Sequence, residues 1–273
     1  MKKLALMLIA SLALFNSCKI ETTKDLGPET TETKEVDTFS VLSVSGSSDV
    51  VFIPSDTFSV TVTAPQKAHD RLVATVENGE MRISEKNPDT KDVKWVVRNT
   101  GTLASKIVVR APYLTGIRIN GSGSVRCDGA MNTQSLWMWI MGSGEISMAH
   151  IAARSVDATI TGSGDIEATL AQVGKIDAGV TGSGEISMKL HNCGAVNATI
   201  TGSGDIELSG TAQTLKQTTQ GSGDISTNEL KLTKCRSTTI RPYTSRWPTD
   251  YATTSWRAST RPTTEYRRCA SMP

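Results

Sequence analysis

The tripeptide Gly-Ser-Gly starts at Gly121, Gly142, Gly162, Gly182, Gly202 and Gly221, at steps of 21, 20, 20, 20 and 19 residues. One such tripeptide is common by chance. Near-constant spacing marks a repeat, and a period of ~20 residues is that of a solenoid whose units stack on one another.

The residues between the glycines give the content of each unit. Val156, Ala158 and Ile160 alternate with Asp157, Thr159 and Thr161; Gly162-Ser163-Gly164-Asp165 then turns the chain. Ile166, Ala168 and Leu170 alternate with Glu167 and Thr169, and a second turn falls near Gly174. Period-two alternation is that of a strand with one buried face. The next unit repeats it with Ile176, Ala178 and Val180, then Ile186, Met188 and Leu190. Like residues at a constant offset predict parallel strands stacked ~4.8 Å apart. Ala158, Ala178 and Ala198 predict a column of small residues and a narrow interior. Gly142 and Gly182 begin GSGEISM, while Gly162 and Gly202 begin GSGDIE, so sequence similarity repeats every 40 residues. A tandem duplication of rung pairs explains this. The expected fold is all-β, a parallel β-solenoid with ~20-residue rungs.

The chain opens on Met1-Lys2-Lys3 and an apolar run from Leu4 to Phe15. That run is too short to span a bilayer and reads as the core of a signal peptide, residues 1–17. Leu14-Phe15-Asn16-Ser17-Cys18 ends it in the manner of a lipobox, which would make Cys18 the acylated N-terminus; cleavage of an ordinary secretory signal near Ser17 is the other reading. Residues 18–38 are rich in Thr, Glu, Lys and Asp and read as a disordered tether. Residues 39–235 are the expected solenoid domain. Within it, Leu72, Val73 and Val76 have helical spacing and predict a short helix over Ala68 to Val76, and Asn78-Gly79 predicts a turn. From Arg236 the sequence turns Thr-, Arg- and Pro-rich and the rung pattern stops. Residues 236–273 read as a disordered, frame-shifted tail, which leaves the solenoid edge at Ile225 and Leu230 open and invites self-association.

The segments FSVLSVSGSSDVVFIPSD, VENGEMRIS and IVVRAPYLTGIRINGSGSV, with the GSGD/GSGE rungs, resemble the auto-transporter adhesin head GIN domain family over residues 38 to 232. The resemblance implies a right-handed parallel β-helix, an envelope location in members that often carry lipoprotein signals, and an adhesive or surface role.

Net charge is +2, which implies no nucleic-acid partner. The acidic residues after each corner, Glu145, Asp165, Glu185, Asp205 and Asp224, form a column that either binds a cation or stays solvated and accepts turn N–H groups. His69, His150 and His191 are too scattered for one metal ion, and Cys127, Cys193, Cys235 and Cys269 match no zinc spacing, so no metal or other cofactor is expected. Cys127 and its fellows read as buried or spare thiols. Trp137 and Trp139 occupy the outward positions of Asp157 and Thr159 one rung later, and exposed indoles suit a sugar ring or a protein partner; packing beneath a loop carrying Trp95 is the alternative. No nucleophile elbow, HExxH or P-loop is present, and no catalytic residues are assigned. The expected function is a non-enzymatic outer-membrane lipoprotein, held by its lipid, with an adhesive or scaffolding solenoid facing a glycan or protein ligand. A polysaccharide-binding or polysaccharide-active β-helix is the alternative.

Overall fold

The computed structural model describes residues 29–65, 70–85, 96–98, 106–234, 237–241 and 263–265, and every regular element among them is a β-strand. The strand Glu145–Gly162 shows how one rung is built. Its first part, from Glu145 to Met148, pairs in parallel with Ser124 to Cys127 of the rung before and with Asp165 to Ala168 of the rung after. The register then shifts between Met148 and Ile151, and the chain bends onto a second wall. There Ser155 to Gly162 pairs with Ser135 to Gly142 on one side and with Lys175 to Gly182 on the other. Each Gly-Ser-Gly carries the chain to the next rung. Ile146, Met148, Ile151, Val156, Ala158 and Ile160 all point inward and are buried. The solenoid is thus the structure that period-two alternation at a 20-residue offset requires.

The corners explain their own sequence. Gly182 has φ +123, a conformation L side chains rarely adopt, and its missing Cβ leaves room for the Gly162 carbonyl oxygen. Gly184 has no positive φ, but a Cβ there would strike Gly164 O and lie 2.8 Å from Ile160 Cγ2. The serine between them is exposed, and its N–H donates to Gly162 O at 2.8 Å. Both glycines are therefore fixed by stacking, while the middle side chain is not.

The ladder begins earlier than the repeat. Gly46 pairs with Gly121 in register and has φ +99, so Gly46-Ser47-Ser48-Asp49 is a further corner of the same column. It escapes the 20-residue count because the chain then leaves the helix. Ser59–Pro65 runs antiparallel to Lys106–Ala111, and Asp70–Glu77 forms a hairpin with Glu80–Glu85. Both Asn78 and Gly79 have positive φ, as a tight hairpin turn needs. Strand Glu80–Glu85 then stacks in parallel on Val41–Gly46.

Three expectations need correction. Asp70–Glu77 is a strand and not the helix expected over Ala68 to Val76. A short apolar run fits either period, and the hairpin partner decides it: Val76 opposes Met81 and Ala74 opposes Ile83. The tether contains the strand Glu29–Glu35, which pairs antiparallel with Ser59–Pro65. Alternate threonines make this possible, with hydroxyl–hydroxyl bonds of 2.9 Å at Thr31–Thr63 and Thr33–Thr61. At the other end, Ser237–Arg241 pairs in parallel with Leu215 to Thr218, and Thr263–Glu265 adds antiparallel to it. The ladder therefore continues past residue 235 on this wall, since Thr238, Thr239 and Ile240 are β-branched. On the other wall, Ile225 and Leu230 stand at the end of the stack, partly buried against the core. Residues 1–28, with Cys18, lie outside the described residues, as do His69, Trp95, Cys235, Cys269 and most of the tail.

Candidate functional site

The wall that contains Ser135 to Gly142 presents three outward columns. One runs Arg82, Ser43, Arg118, Trp139, Thr159. Beside it run Glu80, Val41, Gly116, Trp137, Asp157 and, on the far side, Ser84, Ser45, Asn120, Met141, Thr161. Beyond Thr159 the outward residues are short or polar: Asp177, Gly179 and Thr181, then Asn197, Thr199 and Thr201. Among the described rungs of this wall, one row is apolar across all three columns: Trp137, Trp139, Met141.

Trp139 is 42% exposed and Met141 53%, while Trp137 is half-buried. The two indoles lie 4.9 Å apart at an angle of 47°. Gly116 seats Trp137, because a Cβ there would occupy the indole ring. The Arg118 guanidinium lies 5.3 Å from the Trp137 ring and 5.6 Å from that of Trp139, cation–π distances that hold both rings against the sheet.

Arg118 also forms one side of a depression of about 270 Å³, lined with Ser43, Ser45, Glu80, Arg82 and Asn120. Arg82 Nη2 donates to Glu80 Oε2 at 3.0 Å, and Arg118 Nη1 lies 3.9 Å from Glu80 Oε1. The hydrogen bond from Arg82 is the main reason the Glu80 carboxyl sits below the usual carboxylate range. Arg82 also faces Glu77 at 3.6 Å. Asn120 Oδ1 is buried and has no hydrogen-bond partner.

The other residues singled out from sequence fall elsewhere. Glu145, Asp165, Glu185 and Asp205 stack in register on the opposite wall, all exposed. At the last described corner, Asp205 Oδ1 accepts from the N–H of Asp224 on the next rung at 3.0 Å. Among the described residues no group of His, Cys, Asp and Glu is placed to hold a metal ion. Cys127 and Cys193 are buried free thiols, and burial pushes both upward in pKa, away from the reactive thiolate. Arg118, Gly116 and Met141 were not read from sequence as parts of the site. The offset that aligned Trp139 with Thr159 would have found Met141 opposite Thr161, and the 21-residue step from Gly121 to Gly142 would have placed Arg118 beneath Trp139.

The family model described as "Putative auto-transporter adhesin, head GIN domain" matches residues 38–189 and 168–240. The chain belongs to this family. Its GIN-domain fold is shared with solved structures at low identity. A "putative lipid binding protein" from Parabacteroides distasonis is 19% identical with a TM-score of 0.55, over 77% of this chain and 96% of that one. A "putative adhesin" from Bacteroides fragilis is 17% identical, TM-score 0.57, over 73% and 97%. Another from Parabacteroides merdae is 15% identical, TM-score 0.57, over 80% and 97%. At such identities the likeness is one of fold. No protein of curated function matches this GIN-domain chain.

Proposed function

We propose that this GIN-domain protein is a non-enzymatic envelope lipoprotein whose solenoid carries a glycan-binding platform at Trp137, Trp139 and Met141. The carrying observation is that row of three outward apolar side chains, on a wall where no other described row is apolar across all three columns. An exposed tryptophan braced by a half-buried one over a rigid sheet stacks on a pyranose face with little ordering cost. Membership of a family described as adhesins supports the adhesive reading. The carboxyls that follow Trp137 in its column, Asp157 and Asp177, lie one rung apart and are bonded to Thr159, Lys175 and Asn197, which favours a structural role for both over acid–base work.

An array of glycans and matrix proteins, probed with the labelled chain, tests this. Capture on glycan spots is expected, with no release of reducing ends or unsaturated products from the captured polysaccharide. Product release would replace the adhesive reading with an enzymatic one; capture by matrix proteins alone would remove the glycan. Anchoring has its own test. Cys18→Ser is expected to move the protein from the detergent phase to the aqueous phase, because acyl chains are what hold it on the outer membrane. A variant that stays with the membrane contradicts the lipoprotein assignment.

A further inference from the structure

The platform and the depression share Arg118, whose guanidinium lies against both indoles and also lines the depression. From this continuity we infer that the ligand is an uncharged oligosaccharide of about three residues, lying along the solenoid axis from Trp139 toward Arg82. The inference rests on the glycan reading above and adds the charge, length and direction of the ligand.

Charge comes first. The depression and its rim hold two guanidiniums, Arg82 and Arg118, facing two carboxylates, Glu77 and Glu80. The cations already have partners. A uronate or sulfated sugar would bring a negative charge beside Glu80 with no cation left for it, and a cationic ligand would meet the same problem at the arginines. A neutral sugar meets neither.

The polar groups fit hydroxyls. Arg82 and Arg118 offer N–H donors, and Ser45 offers a hydroxyl that both donates and accepts, while the buried Ser43 bonds to Glu80 beneath them. Asn120 Oδ1 is a buried acceptor with no donor, and an acceptor left in that state costs free energy. Sugar hydroxyls donate and accept, so a chain of them can serve the accessible members of this set, Arg82, Arg118 and Ser45.

Length and direction follow from the register. Trp139, Arg118, Ser43 and Arg82 are successive members of one column. Three steps of ~4.8 Å span about 14 Å, the reach of about three linked pyranose rings. In the other direction Thr159 and Gly179 continue the column with short side chains and no wall. One ring on the indoles and two over the depression therefore use all the features present.

The test is calorimetric titration of the full chain with neutral gluco-, galacto- and manno-oligosaccharides of graded length and with uronate oligosaccharides of matched length, at low and high salt. For at least one neutral series, affinity is expected to rise by about tenfold or more between one residue and three and then to level, with no salt dependence. Arg82→Ala is expected to lower affinity for the three-residue chain about tenfold, while single-residue binding and the melting temperature stay as they are. Trp139→Ala is expected to abolish both. Uronate preference that weakens with salt, affinity flat in chain length, or a silent Arg82→Ala would overturn this inference and leave the glycan platform standing. Failure of every saccharide to bind would overturn the platform as well.

Discussion

Gly182→Ala is expected to lower the melting temperature by about 8–16 °C, a large effect for a single methyl group. Two terms add. A non-glycine residue at φ +123 carries backbone strain of roughly 1–3 kcal/mol. The new Cβ also meets the Gly162 carbonyl oxygen, which accepts the Ser183 N–H at 2.8 Å and cannot withdraw without breaking the ladder. Overpacking of that kind costs about 1–3 kcal/mol more. Together they come to about 4 kcal/mol, and each is worth about 2–4 °C in a domain of this size. Ser183→Ala, one residue on and exposed, should stay within about 0.5 kcal/mol of the parent. Thermal and urea melts of the pair check this. Equal melting of the two variants would mean that the corners are not stacked as described.

The second large effect is in the interior. Ala158, Ala178 and Ala198 stack in register, and all three are buried. Ala178→Leu introduces three carbons into that column and is expected to cost roughly 2 kcal/mol, or a fall of about 4–8 °C. Thr159→Leu adds bulk on the outer face of the same wall, where Thr159 only bonds Asp157 Oδ1 at 3.0 Å. It should change stability by less than about 0.5 kcal/mol. Similar losses from both variants would contradict the inward and outward assignment.

The rungs were legible because their two signals reinforce one another. Alternation sets which side chains enter, and the constant offset sets which residues stack, so Ala178 could be placed over Ala158 from sequence alone. The N-terminal part resisted for a physical reason. Gly46 belongs to the same corner column as Gly121, but an antiparallel excursion separates them, and period counting cannot see across it. The same excursion hid the strand at Asp70–Glu77, whose short apolar run has helical spacing and takes its form from a partner across the Asn78-Gly79 turn. Thr-rich Glu29–Glu35 lacks apolar residues and becomes a strand only because Ser59–Pro65 offers an edge. The tryptophans were visible as outward residues, yet their neighbours were not. Arg118 touches both rings through register with a strand one rung away, and the depression beside it depends on Glu80 and Arg82, which reach the wall through the hairpin.

If the row Trp137, Trp139, Met141 is the binding surface, its two indoles supply most of the affinity. This is measured by the equilibrium affinity of the Trp137→Ala/Trp139→Ala double variant for a glycan that the parent chain captures. Binding should weaken at least about a hundredfold, since two aromatic contacts are lost at the centre of the site, while the melting temperature moves by no more than about 4 °C. Unchanged affinity in a variant that melts with the parent would contradict the account.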